Sequence, residues 1–170
     1  GKLAYGETAD PARPNSPTGP LVFVVDITAR ITGDELTPAT KDATVDSAEV
    51  KKLTDRGVTV SGDLGAPAAG LAGPKAEEPL QPEVFVVARG KGQAIKETDT
   101  VAVQMSRTSW DGTTRSSTWE DHAPSAMPAG QIRAAGLPVG SRIVLLAPGN
   151  SNGGKRESAY IFVIDVEKVI

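Results

Sequence analysis

The sequence predicts an α+β fold, mostly β, in which a twisted antiparallel sheet of about five strands packs on one short helix. Three observations predict it. From residue 83 onward, short runs rich in Val, Ile, Phe and Thr alternate with Gly, Asp and Asn turns at close spacing. The stretch 131–136 has room for about one helical turn. A buried-strand signature also occurs twice: Leu-Val-Phe-Val-Val-Asp-Ile at 21–27 and Tyr-Ile-Phe-Val-Ile-Asp-Val at 160–166. Phe23 matches Phe162, Asp26 matches Asp165, and each copy follows a loop, Pro-rich at 11–20 and Gly/Asn/Ser-rich at 149–158.

In chain order, Ala4-Tyr5-Gly6 and a proline-rich loop lead into the apolar run 21–27, which reads as a strand buried on both faces. Residues 32–44 are polar, carry Pro38 and read as linker. A short helix fits 46–56: Asp46 caps it, Glu49 stands three residues on, Val50 and Leu53 share a face, and Gly57 stops it. A strand fits 58–61. The Ala/Gly/Pro-rich stretch 62–82 reads as linker or extended arm. Strands follow at 83–87 and 100–107, joined through the turn Arg89-Gly90-Lys91-Gly92. In 100–107, Val101, Val103 and Met105 share one face and Ala102, Gln104 and Ser106 the other. Trp110-Asp111-Gly112 carries a hairpin signal. Return strands fit 113–118 and 125–127, and the short helix is expected near 132–135. A buried strand at 141–146 and a long one at 159–170 close the sheet. Asp26, Asp99 and Asp165 read as exposed strand-end carboxylates. The expected organisation is thus a C-terminal remnant of one unit at 1–31, a linker at 32–79 and a complete unit at 80–170.

Composition narrows the function. Hydrophobic residues make up 39% of the 170, enough for a core, but aromatics only 4%, so an aromatic-lined pocket must be sparse. A net charge of −3 gives no reason to expect nucleic acid or an anionic membrane as partner. With no cysteine and a lone His122 beside Glu120 and Asp121, neither a thiolate site nor a metal site is expected. Gly90-Lys91-Gly92 fails as a phosphate loop, because no helix follows it. The chain opens on Gly1 without Met or a signal peptide, and is expected to be a fragment of a longer protein.

Over residues 80–170 the motifs resemble FK506-binding proteins, the FKBP-type peptidyl-prolyl cis–trans isomerases. The resemblance rests on order and spacing: Arg89-Gly90-Lys91-Gly92, then Thr98-Asp99-Thr100-Val101-Ala102-Val103, Trp110-Asp111-Gly112-Thr113, Ser116-Ser117-Thr118-Trp119, Val139-Gly140-Ser141-Arg142 with its apolar strand, and the run 160–166. Residues 1–31 resemble the tail of another copy, with Tyr5 in the flap and Phe23 in the final strand. The tandem layout is similar to secreted or lipid-anchored FKBPs of actinobacteria. The resemblance implies an extracytoplasmic or cell-envelope location, proline-containing polypeptide segments as partners, a role in protein folding and no cofactor. The unpartnered run 21–27 is expected to invite association.

The chemistry such a site needs is simple. Rotation about an X-Pro amide takes tens of seconds or more unaided. Twisting the bond removes amide resonance, so a dry aromatic cradle with one donor for the carbonyl favours the twisted state without nucleophile, metal or acid–base pair. The resemblance places Met105 where the family has a wall Tyr, Arg115 where it has Phe, Ser116 where it has the carbonyl-binding Asp, and Met127 where an aromatic wall is usual. Ile132 is a loose match to a Val-Ile pair. The floor Trp has no counterpart, and Phe162 is retained. Arg115 is expected to point to solvent, since burying it unpaired is costly. The resemblance thus implies an FKBP-type isomerase family member whose site in this copy is degenerate. The alternative is a non-catalytic FKBP-like module for peptide binding or spacing.

Overall fold

The computed structural model describes residues 22–27, 30, 36, 38–152 and 155–170. The chain divides into two units, Gly1–Arg30 and Ile31–Ile170. In the first, residues 22–27 form no strand, and Val22, Phe23, Val24, Val25 and Ile27 are exposed, Phe23 at 72%. The strand expected at 21–27 is therefore corrected. Apolar residues supply a strand's side chains, but a strand exists only where a neighbour takes up its backbone groups, and no pairing among the described residues involves 22–27. Tyr5 and Leu21 lie outside the described residues.

The second unit is α+β and mostly β, with a single helix among the described residues. After a 3-10 turn at Ala39–Asp42 come β1 (Thr44–Val45), α1 (Ser47–Asp55), β2 (Val58–Ser61), β3 (Ala69–Ala72), β4 (Glu83–Arg89), β5 (Thr100–Ser109), β6 (Arg115–Ser117), β7 (Ser125–Pro128), β8 (Arg142–Ala147), β9 (Ser151–Asn152), β10 (Lys155–Arg156) and β11 (Tyr160–Val169). The main sheet is antiparallel and seven-stranded, in the order β1-β4-β8-β11-β5-β6, with β7 also on β5. The strands expected at 83–87, 100–107, 113–118, 125–127, 141–146 and 159–170 all take part, and the two-residue β1 joins them.

The helix is α1, not 132–135. Asp46 accepts a hydrogen bond from the Glu49 amide at 3.2 Å, and Gly57 leaves the helix at φ 86°. Residues 129–137 instead make successive turns. Arg133 sits at φ 54°, Gly136 at φ 79°, and the Ala134 amide donates to the Ala129 carbonyl at 2.9 Å. A residue in the left-handed region cannot continue an α-helix. The apolar residues Ile132, Ala134 and Leu137 still point into the core.

The stretch read as linker is, from residue 39, part of the packed unit. α1 and the β2–β3 hairpin cover one face of the sheet, here the back, burying Leu53, Val58, Val87, Val144, Leu146 and Ile161 together. Small residues there serve close approach rather than flexibility. A Cβ on Gly70 would lie 2.2 Å from Ile161 Cγ2, so only glycine lets β3 lie this close to β11. Trp110 joins the same layer. Its Nε1 donates to the Ala76 carbonyl at 3.1 Å, and the Arg56 guanidinium lies 5.7 Å from its ring while pairing with Glu83.

Asp165 is not an exposed strand-end carboxylate. Only 1% of it is accessible, and it holds Arg142, itself 3% exposed, through two charge-assisted hydrogen bonds of 2.6 and 2.8 Å. Arg142 also donates to the carbonyls of Gly62, Asp63 and Ala66, which ties the β2–β3 loop to the sheet. Beside it, Glu167 stands at a bulge of β11 and accepts from the amides of Ala39 and Thr40 and from the Thr40 hydroxyl. The sequence hid both roles because the partners lie in distant segments.

Candidate functional site

Antiparallel partners share a face, so the register of the sheet reads out its front side row by row. Val166 and Val103 make the fully buried row at the deep end, and Ile143, Ile164 and Met105 the row beside it. The next runs across five strands as Val84, Leu145, Phe162, Arg107 and Ser116. A third holds Ala147, Tyr160 and Ser109. Met127 lies opposite Val101 on β7. The turns 129–137 and the segment around Ile95 lid the deep end, where Ile132, Leu137 and Ile95 are buried against Val103, Ile143 and Ile164. Met105, Met127, Leu145 and Phe162 lie half-buried around this cluster.

Four of the expected site residues, Met105, Met127, Ile132 and Phe162, therefore come together on one face. Ser116 lies in the Phe162 row but at the exposed edge strand. Arg115 pairs with Thr108, so it belongs to the back face, and it is exposed. The alignment that gave Arg115 a wall position thus does not hold in the sheet register. Phe23 belongs to the other unit, and Tyr5 lies outside the described residues. An open depression of about 450 Å³ lies beside the third row, with Leu145 and Ala147 as floor and Pro82, Gln131, Arg133 and Glu97 around it.

Arg107 was missed. It is half-buried in the Phe162 row, with its guanidinium 4.9 Å from the centre of the Tyr160 ring. The rings of Tyr160 and Phe162 are 6.2 Å apart and tilted by 47°. Arg107 Nε is buried and meets no hydrogen-bond acceptor among the described residues. The signal was present in the alternation: Val101, Val103 and Met105 on one face require Arg107 to be next. Reading a strand face as apolar stopped the series one residue early.

Chemically, the front face offers two rings, two thioethers, aliphatic side chains and one cation. It can hold an extended apolar segment and donate to an oxygen. Its serine hydroxyls are those of Ser116, on the exposed edge strand, and Ser109, which donates to Asp111 Oδ1 at 2.6 Å within the hairpin turn. The carboxyls that burial raises belong to the back. Burial pushes Asp165 up against the pull of Arg142, and burial together with the Asp165 charge pushes Glu167 up. Their partners account for both as structural groups.

The class that fold and face define is an α+β domain with an antiparallel sheet, lidded by turns on its front and by a helix and hairpin on its back. Among solved structures, the N-terminal domain of FKBP42 from Arabidopsis thaliana is similar over 54% of this chain and 88% of its own, at 12% identity and a TM-score of 0.44. FkpA from Escherichia coli is similar over 72% of this chain and 56% of its own, at 20% identity and 0.45. A multi-domain immunophilin from Arabidopsis thaliana is similar over 54% and 43%, at 13% and 0.42. No protein-family model and no curated protein matches the sequence.

Proposed function

We propose that the second unit is an FKBP-type peptidyl-prolyl isomerase module assisting protein folding, with its site on the front face and with weak activity. The observation that carries this reading is the convergence of Met105, Met127, Ile132 and Phe162, four positions that the family resemblance nominates from four separate segments. Weak activity follows from what the face holds. Where a twisted amide needs a dry aromatic wall, Met105 and Met127 supply thioethers, Ile132 stands on a turn, and the Arg107 cation sits beside Phe162. Each lost transition-state interaction of about 1.4 kcal/mol lowers the rate tenfold. Proline-limited refolding of a reporter protein, with micromolar amounts of this chain beside an intact FKBP domain, tests the reading. Acceleration at least about tenfold below the intact domain is expected. Equal acceleration overturns the degenerate-site part, and neither acceleration nor binding of an extended proline peptide overturns the whole.

A further inference from the structure

We propose that the front face recognises a carboxylate, received by Arg107 beside the Tyr160–Phe162 ring pair and carried by an extended peptide with an apolar neighbour. The inference rests on the reading of this face as a peptide surface and is independent of catalysis. Half-buried and buried arginines elsewhere in the unit have carboxylate partners: Arg56 pairs with Glu83 at 2.8 Å and Arg142 with Asp165 at 2.6 Å. Arg107 has none among the described residues, and its Nε–H is buried without an acceptor. Its contact is the Tyr160 ring at 4.9 Å. That contact holds the cation by attraction to the ring face, and no acceptor among the described residues takes a donor of the fork.

A carboxylate is the acceptor that matches this fork bidentately. A neutral carbonyl engages one donor and leaves the positive charge uncompensated. Nε is not among the surface atoms, so the acceptor enters at the Nη end, and a small turn of the side chain brings Nε–H onto the second oxygen. The ring pair, with Leu145 one strand further along the same row, gives the neighbouring apolar side chain its place. Charge and apolar wall together select an extended segment over a free inorganic anion.

The experiment titrates the full chain with three peptides: acetyl-Ala-Ala-Leu-Pro-Phe as free acid, the same peptide as C-terminal amide, and an amide whose final residue is Glu. Affinity is read by calorimetry and the Arg107 Nε–H resonance by NMR. The free acid is expected to bind at least about tenfold more tightly than its amide, as loss of one charge-assisted pair implies, and to shift that resonance. Arg107→Gln should abolish the difference, Arg107→Lys should restore part of it, and Arg115→Gln on the opposite face should leave it intact. Equal binding of acid and first amide overturns the carboxylate inference and leaves the peptide-surface reading standing. No binding of any peptide overturns both. Tight binding of the Glu amide extends recognition to side-chain carboxylates, and weak binding of it confines recognition to chain termini. Should Arg107→Gln fail to fold, an Nε–H resonance in the unaltered protein that the acid does not move overturns the inference by itself.

Discussion

Arg142 and Asp165 show at the scale of single residues how much depends on pairing inside a sheet. Each alone is a charge in a dry layer, and together they satisfy each other and three loop carbonyls. Replacing Asp165 with Asn should cost about 3–5 kcal/mol, because it strands a buried guanidinium; the shift of the urea midpoint measures it. Glu167 makes a different prediction. Burial and its acidic neighbour raise it above the ordinary glutamate value of 4.5. A carboxyl raised in the folded state holds its proton more tightly there than in the unfolded chain. Its contribution to stability is therefore largest below the unfolded pKa and is lost as pH rises through the folded one. Glu167→Gln should flatten that fall, read as urea midpoints across the acidic-to-neutral range. None of this was visible in the sequence, where Asp165 is one more polar residue at the end of an apolar run. Arg107, by contrast, was legible from period-two alternation alone. A purely apolar expectation of the strand face concealed it.

Elements were legible in proportion to how local their determinants are. The cap at Asp46, the shared face of Val50 and Leu53 and the stop at Gly57 predict α1 within a residue at each end. The strands β2, β4, β5, β8 and β11 follow from their own runs of residues. The hairpin partner β3 did not, because its sequence Ala-Gly-Leu-Ala carries the signature of a linker. Its smallness is explained only by the strand beneath it. Gly70→Val should therefore destabilise the unit by about 1–3 kcal/mol through overpacking against Ile161, visible as a lowered melting temperature. At an open turn such as Gly112, where nothing lies within 4 Å, substitution meets no such obstacle of space and acts only through its φ of 73°. The turns 129–137 deceived for the opposite reason. Their apolar residues suit a helix, but Arg133 takes a left-handed backbone.

On the scale of the whole molecule, the division after Arg30 and the layer that α1 and the hairpin form give opposite expectations for two truncations. Residues 31–170 should unfold cooperatively in urea. Residues 80–170 alone should not, because Val87, Val144, Leu146 and Ile161 would lose the cover of Leu53 and Val58. The strand order carries a further consequence, for the order of events in making the protein. β11 lies between β8 and β5, yet it follows every other described strand in sequence. As the chain leaves a ribosome, β4 with β8 and β5 with β6 and β7 are two separate ribbons, each with an inner edge of unpaired amides and carbonyls. The keystone arrives last, and nearly all of its pairings span long stretches of chain, which makes assembly slow compared with that of a helical domain. A chain stopped at residue 159 lacks the middle of its sheet rather than its margin. The interval before the ten residues of β11 emerge is when the other strands of this sheet are most exposed to wrong partners.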